Sequence, residues 1–346
     1  MKTLIIALST IALICAFFTA PVPAQPQWEL KYSTFQPASN ITVKRGHAPF
    51  AKMIEEATKG RVKVTMYAGG TLAKAKGQYD AIATGIADIA FVLPAFTPGR
   101  FPISELASLP FLGIKSGVQG ALAFTGLYEK FPEEFEGKGR EFSAIKPLVL
   151  FTTSPYHLHT NKPVRTPEDI KGMKIRSAGA GVIKAVEAMG AVPVLIPIGD
   201  IYSSLEKGVI DGVLMDDTGF GARKFVEVTK YHTQLNMYVQ AFTILMNKHV
   251  WKTFPKDIQE QIMGVAGKKG AEFISGNAWD FGAKQTAKML SGMKEEEVIT
   301  LNEQELAAWM KYGQGVHQGY IAELEKRGIK GQVLYDELLR QIEKYK

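Results

Sequence analysis

Two stretches of this chain carry one plan of apolar periodicity, and that plan leaves few folds open. In the first, Trp28 to Phe35 reads as a strand, and Phe50, Met53, Ile54 and Ala57 recur at the spacing of one helix face. Gly60 stops that helix. Arg61 to Tyr67 alternates apolar with polar, as a half-buried strand does; a second helix reaches from Gln78 to Thr84, and Asp88 to Leu93 forms a buried strand closed by Pro94. The order is β-α-β-α-β. The second stretch repeats it. Thr166-Pro167-Glu168-Asp169 signals a helix start, since Thr166 can cap, Pro167 suits the first turn and two acids meet the positive dipole end. Met173 to Arg176 is a short strand, and Val182, Ile183, Val186 and Met189 mark a helix that ends at Gly190. Val192 to Ile196 is the next strand, Asp200 to Lys207 the next helix, and Val209 to Met215 the third strand.

Two such halves predict an α/β chain of two lobes, each a βαβαβ-based sheet flanked by helices, with a ligand cleft between them. In open parallel sheets a ligand lies beyond the carboxyl ends of the strands. That rule nominates Thr34 and Phe35, Ala68 to Gly70, and Pro94 to Phe96 in the first half. In the second it nominates Arg176, Ser177, Pro197, Ile198 and Met215 to Asp217. A further strand, Leu148 to Thr152, ends just before Ser154-Pro155-Tyr156-His157. The tail is helical over Gln259–Met289, Glu303–Lys326 and Leu334–Tyr345, as expected of helices that pack on a lobe or brace two lobes together. The expected division is residues 25–153 plus about 242–281 for lobe I and 154–241 plus about 282–346 for lobe II, with strands crossing between the lobes as hinges and a long bridging helix.

The N-terminus predicts the compartment. Lys2 precedes an apolar run from Leu4 to Phe18, and Val22-Pro23-Ala24 supplies a small-residue cleavage site, so residues 1–24 read as a cleavable signal peptide and the protein as periplasmic. The run is about fifteen residues, short of the roughly twenty that a spanning helix needs. Cys15 lies within it, so a chain cleaved there keeps no cysteine for disulfide or thiol chemistry. The remaining length of about 320 residues exceeds what one core usually supports. With 46% apolar and 22% charged residues the composition is that of an ordinary globular chain. The net charge of +7 is scattered among acids rather than drawn into a basic stripe, which argues against nucleic acid as a partner. It suits an anionic small ligand, and equally mere solubility.

Catalytic motifs are missing from the sequence. It holds no H-E-x-x-H, no P-loop and no G-x-S-x-G. Gly179-Ala180-Gly181 lacks the third glycine of a dinucleotide fingerprint and reads as turn chemistry. His157 and His159 stand two apart with no cysteine or third histidine nearby, so neither a metal nor another cofactor is expected. Asp216-Asp217 could help bind a hard cation, or cap a helix. Arg176 closes a short strand at the mouth of the expected cleft, where its fork could hold a carboxylate through two parallel hydrogen bonds. Position alone does not separate that role from a surface arginine at a strand end.

The segment Asp169–Gly212 closely resembles the substrate-binding proteins of tripartite ATP-independent periplasmic (TRAP) transporters, the DctP-type receptors. Tyr67-Ala68-Gly69-Gly70-Thr71-Leu72, Gly85-Ile86-Ala87-Asp88 and Leu109-Pro110-Phe111-Leu112 match the N-terminal landmarks of that family. The resemblance implies a two-lobed receptor, type II-like, that closes on its ligand, acts without catalysis, and delivers it to a small and a large membrane subunit. It also implies that Arg176 grips the ligand's carboxylate. Two departures stand out. Many members carry a second arginine soon after the strand at Leu148–Thr152, where this chain has Tyr156-His157. After the Asp-Gly turn, sialic-acid- and dicarboxylate-type members often carry polar or metal-holding residues, where this chain has Val213-Leu214-Met215.

With Phe35, Phe96 and Tyr156, those departures predict a less hydroxylated ligand, an aromatic or branched monocarboxylate. The expected site is Arg176, Tyr156, His157, Met215, Asp216, Phe35, Phe96 and Leu214, and the expected state is a monomer. Asp216 leaves a cation-bridged ligand open. A C4-dicarboxylate or keto-acid receptor, a sensor receptor and a periplasmic enzyme on the same fold are the alternatives.

Overall fold

The computed structural model describes residues 26–346. The signal peptide expected over residues 1–24, with Lys2 and Cys15, lies outside the described residues. The strands are β1 (Trp28–Ser33), β2 (Val62–Tyr67), β3 (Ile89–Val92), β4 (Ile145–Thr152), β5 (Tyr156–Thr160), β6 (Lys174–Arg176), β7 (Val192–Val194), β8 (Gly212–Asp216), β9 (Tyr231–Thr233), β10 (Ala241–Asn247) and β11 (Glu297–Ile299). They form two sheets.

Both predicted βαβαβ units are present, and they share one topology. In the first sheet, β1 is parallel to β2 on one side and to β3 on the other. In the second, β6 is parallel to β7 and to β8 in the same way. Each parallel set is then extended by antiparallel strands, giving the orders β2-β1-β3-β10-β4 and β11-β9-β5-β8-β6-β7. The chain crosses between sheets twice in extended form, from β4 into β5 through residues 153–155 and from β9 into β10 through residues 234–240.

A helical segment makes a third crossing. The sequence predicts one helix over Gln259–Met289, but the chain breaks after Lys256–Met263, and Gly267, at φ +52°, restarts it. Gly267–Ile274 then lies on β4, a six-residue π-helical stretch (Ser275–Asp280) follows, and Phe281–Ser291 packs against the short helix Asp217–Ala222 of the second lobe. This is the bridging helix. The predicted helix at Thr166 is shorter than expected. Asp169 accepts the Thr166 N–H at 2.8 Å, but Gly172, at φ +75°, ends the element after a single 3-10 turn, Pro167–Ile170.

The tail is shared between lobes, which differs from the expected grouping of 282–346 with lobe II. Glu303–Lys326 packs on the lobe II helix Ala180–Ala188. The last helix, Gly331–Lys344, packs instead on Gly117–Lys130, a lobe I helix that itself lies on β4. Lys130 Nζ meets Glu337 at 2.8 Å in that contact, and Gln119 donates to the Ile342 carbonyl.

Among the described residues no helix is long and apolar enough to cross a membrane.

Candidate functional site

The carboxyl ends of the parallel strands converge on a cavity of about 630 Å³, counted out to its open mouth. Its two walls differ in chemistry. Lobe I and the crossing segments contribute Phe35, Leu93, Phe96, Phe242 and Trp279. Phe35 stacks on the buried Phe91, with centroids 5.2 Å apart and planes 12° from parallel, while Phe96 tilts against it at 6.3 Å. The buried Phe91 orients the half-buried Phe35, and Phe96 packs in turn on Phe35, so this wall is apolar and aromatic.

Lobe II contributes the charges. Arg176 ends β6, the central strand of its parallel set, and is only 3% exposed. Among the described residues its Nε has no hydrogen-bond partner. A guanidinium cannot shed its charge by losing a proton in a protein, so a buried one without an acceptor is strongly biased toward a carboxylate. Asp216 ends β8 and faces the same cavity. Its Oδ1 accepts the Gly219 N–H at 2.9 Å, which caps Asp217–Ala222. Burial pushes its carboxyl up to about 6. Directly across the β5–β8 pair, Tyr156 shares that face, and burial followed by the Asp216 charge holds its phenol above the ordinary range. The Tyr238 ring packs on Tyr156 at 4.2 Å, and its buried hydroxyl has no partner among the described residues.

Six of the eight residues expected at the site therefore line one cavity: Arg176, Tyr156, Met215, Asp216, Phe35 and Phe96. Two do not. His157 follows Tyr156 in β5, and strand alternation turns it to the opposite face. There it lines a separate polar cavity at the hinge with Ser154, Asp217 and Asp280, 3.8 Å from the Asp217 carboxylate. Burial lowers its imidazole to about 4. Leu214 lies two residues before Asp216 and so one repeat deeper, in the core with Leu158. Asp216 and Asp217 thus face different cavities and do not act as a pair on one ion.

The cavity also contains residues the sequence reading did not nominate. Arg223, the residue after the Asp217–Ala222 helix, returns to the cavity that Asp216 also lines, near enough to feel its charge. Its Nη2 reaches across to Gln36 Oε1 of lobe I at 3.4 Å. A second arginine thus lines the cavity, from a different element than the Tyr156-His157 position. One turn of helix after a strand end was the available signal. Gln36, Asn40, Thr42, Gln240 and Trp279 also line the cavity, and nothing local in their sequence marks them.

Comparison with known proteins places this architecture. The description DctP, bacterial extracellular solute-binding protein family 7, matches residues 32–324. The C4-dicarboxylate-binding periplasmic protein DctP of Rhodobacter capsulatus is 26% identical over 286 residues, covering 79% of this chain and 80% of that protein. A TRAP periplasmic solute-binding protein from Bordetella bronchiseptica, solved with bound (R)- and (S)-mandelate, is 25% identical with a TM-score of 0.83, over 92% of this chain and 99% of that one. A marine metagenome TRAP solute-binding protein specific for aromatic acid ligands, solved with 3-hydroxybenzoate, is 27% identical with a TM-score of 0.83, over 92% of this chain and 98% of that one. The chain belongs to bacterial extracellular solute-binding protein family 7, the DctP family.

Proposed function

We propose that this protein is the periplasmic receptor of a TRAP-type transporter, and that it captures an aromatic or otherwise apolar monocarboxylate between its lobes. The carrying observation is the buried Arg176, whose Nε has no partner among the described residues, on one wall facing an aromatic wall on the other. A carboxylate on the guanidinium places the ligand's body against Phe35 and Phe96, and closure of the lobes buries both ends at once. The mandelate- and hydroxybenzoate-bound relatives support this reading. The receptor acts by binding rather than turnover, works as a monomer, and hands its ligand to a small and a large membrane subunit.

A second reading, capture of a C4-dicarboxylate, has one observation in its favour: Arg223 brings a second guanidinium to the cavity. The Rhodobacter relative binds such acids. A thermal-shift screen over aromatic acids, C4-dicarboxylates, keto acids and sugar acids separates the two. A ligand that binds only the folded state raises the melting temperature by mass action. Aromatic monocarboxylates are expected to give the largest rise. A rise confined to C4-dicarboxylates or sugar acids would overturn the aromatic reading.

A further inference from the structure

Three charged side chains line the cavity: Arg176, Arg223 and Asp216. Both guanidiniums keep their charge at any working pH, so the count of charges rests on the carboxylate. We propose that Asp216 is a selectivity determinant: it offsets Arg223, leaves one net positive charge at Arg176, and so makes the cavity select singly charged over doubly charged carboxylates. The inference rests on the carboxylate reading above and narrows its substrate class.

The position of Asp216 is built into the turn from β8 into the following helix. Its Oδ1 is the helix cap on Gly219 N–H. A Cβ at position 219 would stand 2.9 Å from both Asp216 Oδ2 and Met215 Sδ, so only glycine lets the carboxylate and the methionine sit as they do. Arg223, at the far end of that helix, has among the described residues only neutral hydrogen-bond partners, the Gly219 carbonyl and Gln36 Oε1, both at 3.4 Å. Asp216 is the negative charge this cavity offers it. A diacid whose first carboxylate sits on Arg176 brings its second into a region where Arg223 is already offset, and it meets Asp216 as a like charge.

The test is calorimetry at pH 8 with two matched pairs of probes, benzoate with isophthalate and butyrate with succinate. At that pH a carboxyl with a midpoint of about 6 is ionised. The wild type is expected to bind the monoacid at least about tenfold more tightly than its matched diacid. Asp216→Asn keeps a good capping side chain and removes the charge. It should move the ratio toward the diacid by about tenfold or more. Arg223→Gln should move it the other way, so the inference stays readable if one variant fails to fold. Tighter diacid binding by the wild type, or a ratio unchanged within about twofold in a folded variant, would overturn the inference. If butyrate binds and benzoate does not, the aromatic reading falls alone, and the charge inference is still decided by the aliphatic pair.

Discussion

Gly117 N donates to Asp280 Oδ1 at 2.6 Å, across 163 positions of sequence. Val118 N donates to the other oxygen of the same carboxylate at 3.0 Å. One side chain of the bridging helix thus caps the start of the lobe I helix Gly117–Lys130, satisfying two amides and meeting the positive dipole end. Thr218 of lobe II meanwhile donates to the carbonyl of the adjacent Trp279 at 2.5 Å. The bridging helix is therefore pinned to both lobes within two residues.

Asp280→Ala should lower stability by about 1–2 kcal/mol in urea unfolding, the usual range for a lost cap. Asp280→Asn should recover part of it, because the amide oxygen still accepts. No loss in the alanine variant would show that Ser116, whose side chain also accepts within this turn from Gln119 N, holds the helix start alone.

Phe35→Ala should weaken aromatic acids more than aliphatic acids of the same charge. The ring offers an aromatic ligand a face already oriented by Phe91, and such pairs contribute about 0.5–1.5 kcal/mol beyond the buried area. The expected outcome is a loss of about tenfold for benzoate with a smaller loss for butyrate, read by calorimetry. Equal losses would mean that Phe35 shapes the cavity without contacting the ligand's ring.

Stability should carry the signature of Asp217. Burial, then the neighbouring Asp216 charge, pushes its carboxyl up to about 7, so the native state holds this proton more tightly than the unfolded chain does. The stabilisation is complete below the ordinary value of 3.8 and is lost as pH rises through about 7. Asp217→Asn lacks this dependence. Relative to the variant, the wild type should lose on the order of 2 kcal/mol between pH 4 and pH 8. A difference between the two melting curves that stays flat with pH would contradict this account of the hinge cavity.

The legible parts of this fold were those governed by local periodicity. Each strand of the two βαβαβ units falls within a residue or two of its expected span near the cleft, because alternation and helix spacing need only neighbours in sequence. Pairings between distant segments left no such trace. Nothing near Ala241 announces that β10 inserts beside β3, and nothing near Gly331 announces that the last helix returns to lobe I. The site divides in the same way. The strand-end rule located Arg176, Phe35, Phe96 and Asp216. His157 does not share the cavity because adjacent strand residues face opposite ways, and the sequence assigned no face to Tyr156-His157. Arg223 was missed because one turn of helix separates it from its strand end. Trp279 sits in a tail helix whose contact with the cleft exists only once both lobes have formed.

In the proposed function, Arg176 holds the ligand's carboxylate in a fork. Arg176→Lys keeps the charge but not the two parallel donors, and it leaves a buried charge badly paired. Disrupting such a pair costs about 3–5 kcal/mol. Isothermal titration of the acid that most raises the melting temperature, against wild type and Arg176→Lys, is the most direct test. The predicted result is a loss of affinity of at least about a hundredfold in a folded variant. Affinity unchanged in Arg176→Lys would contradict the assignment.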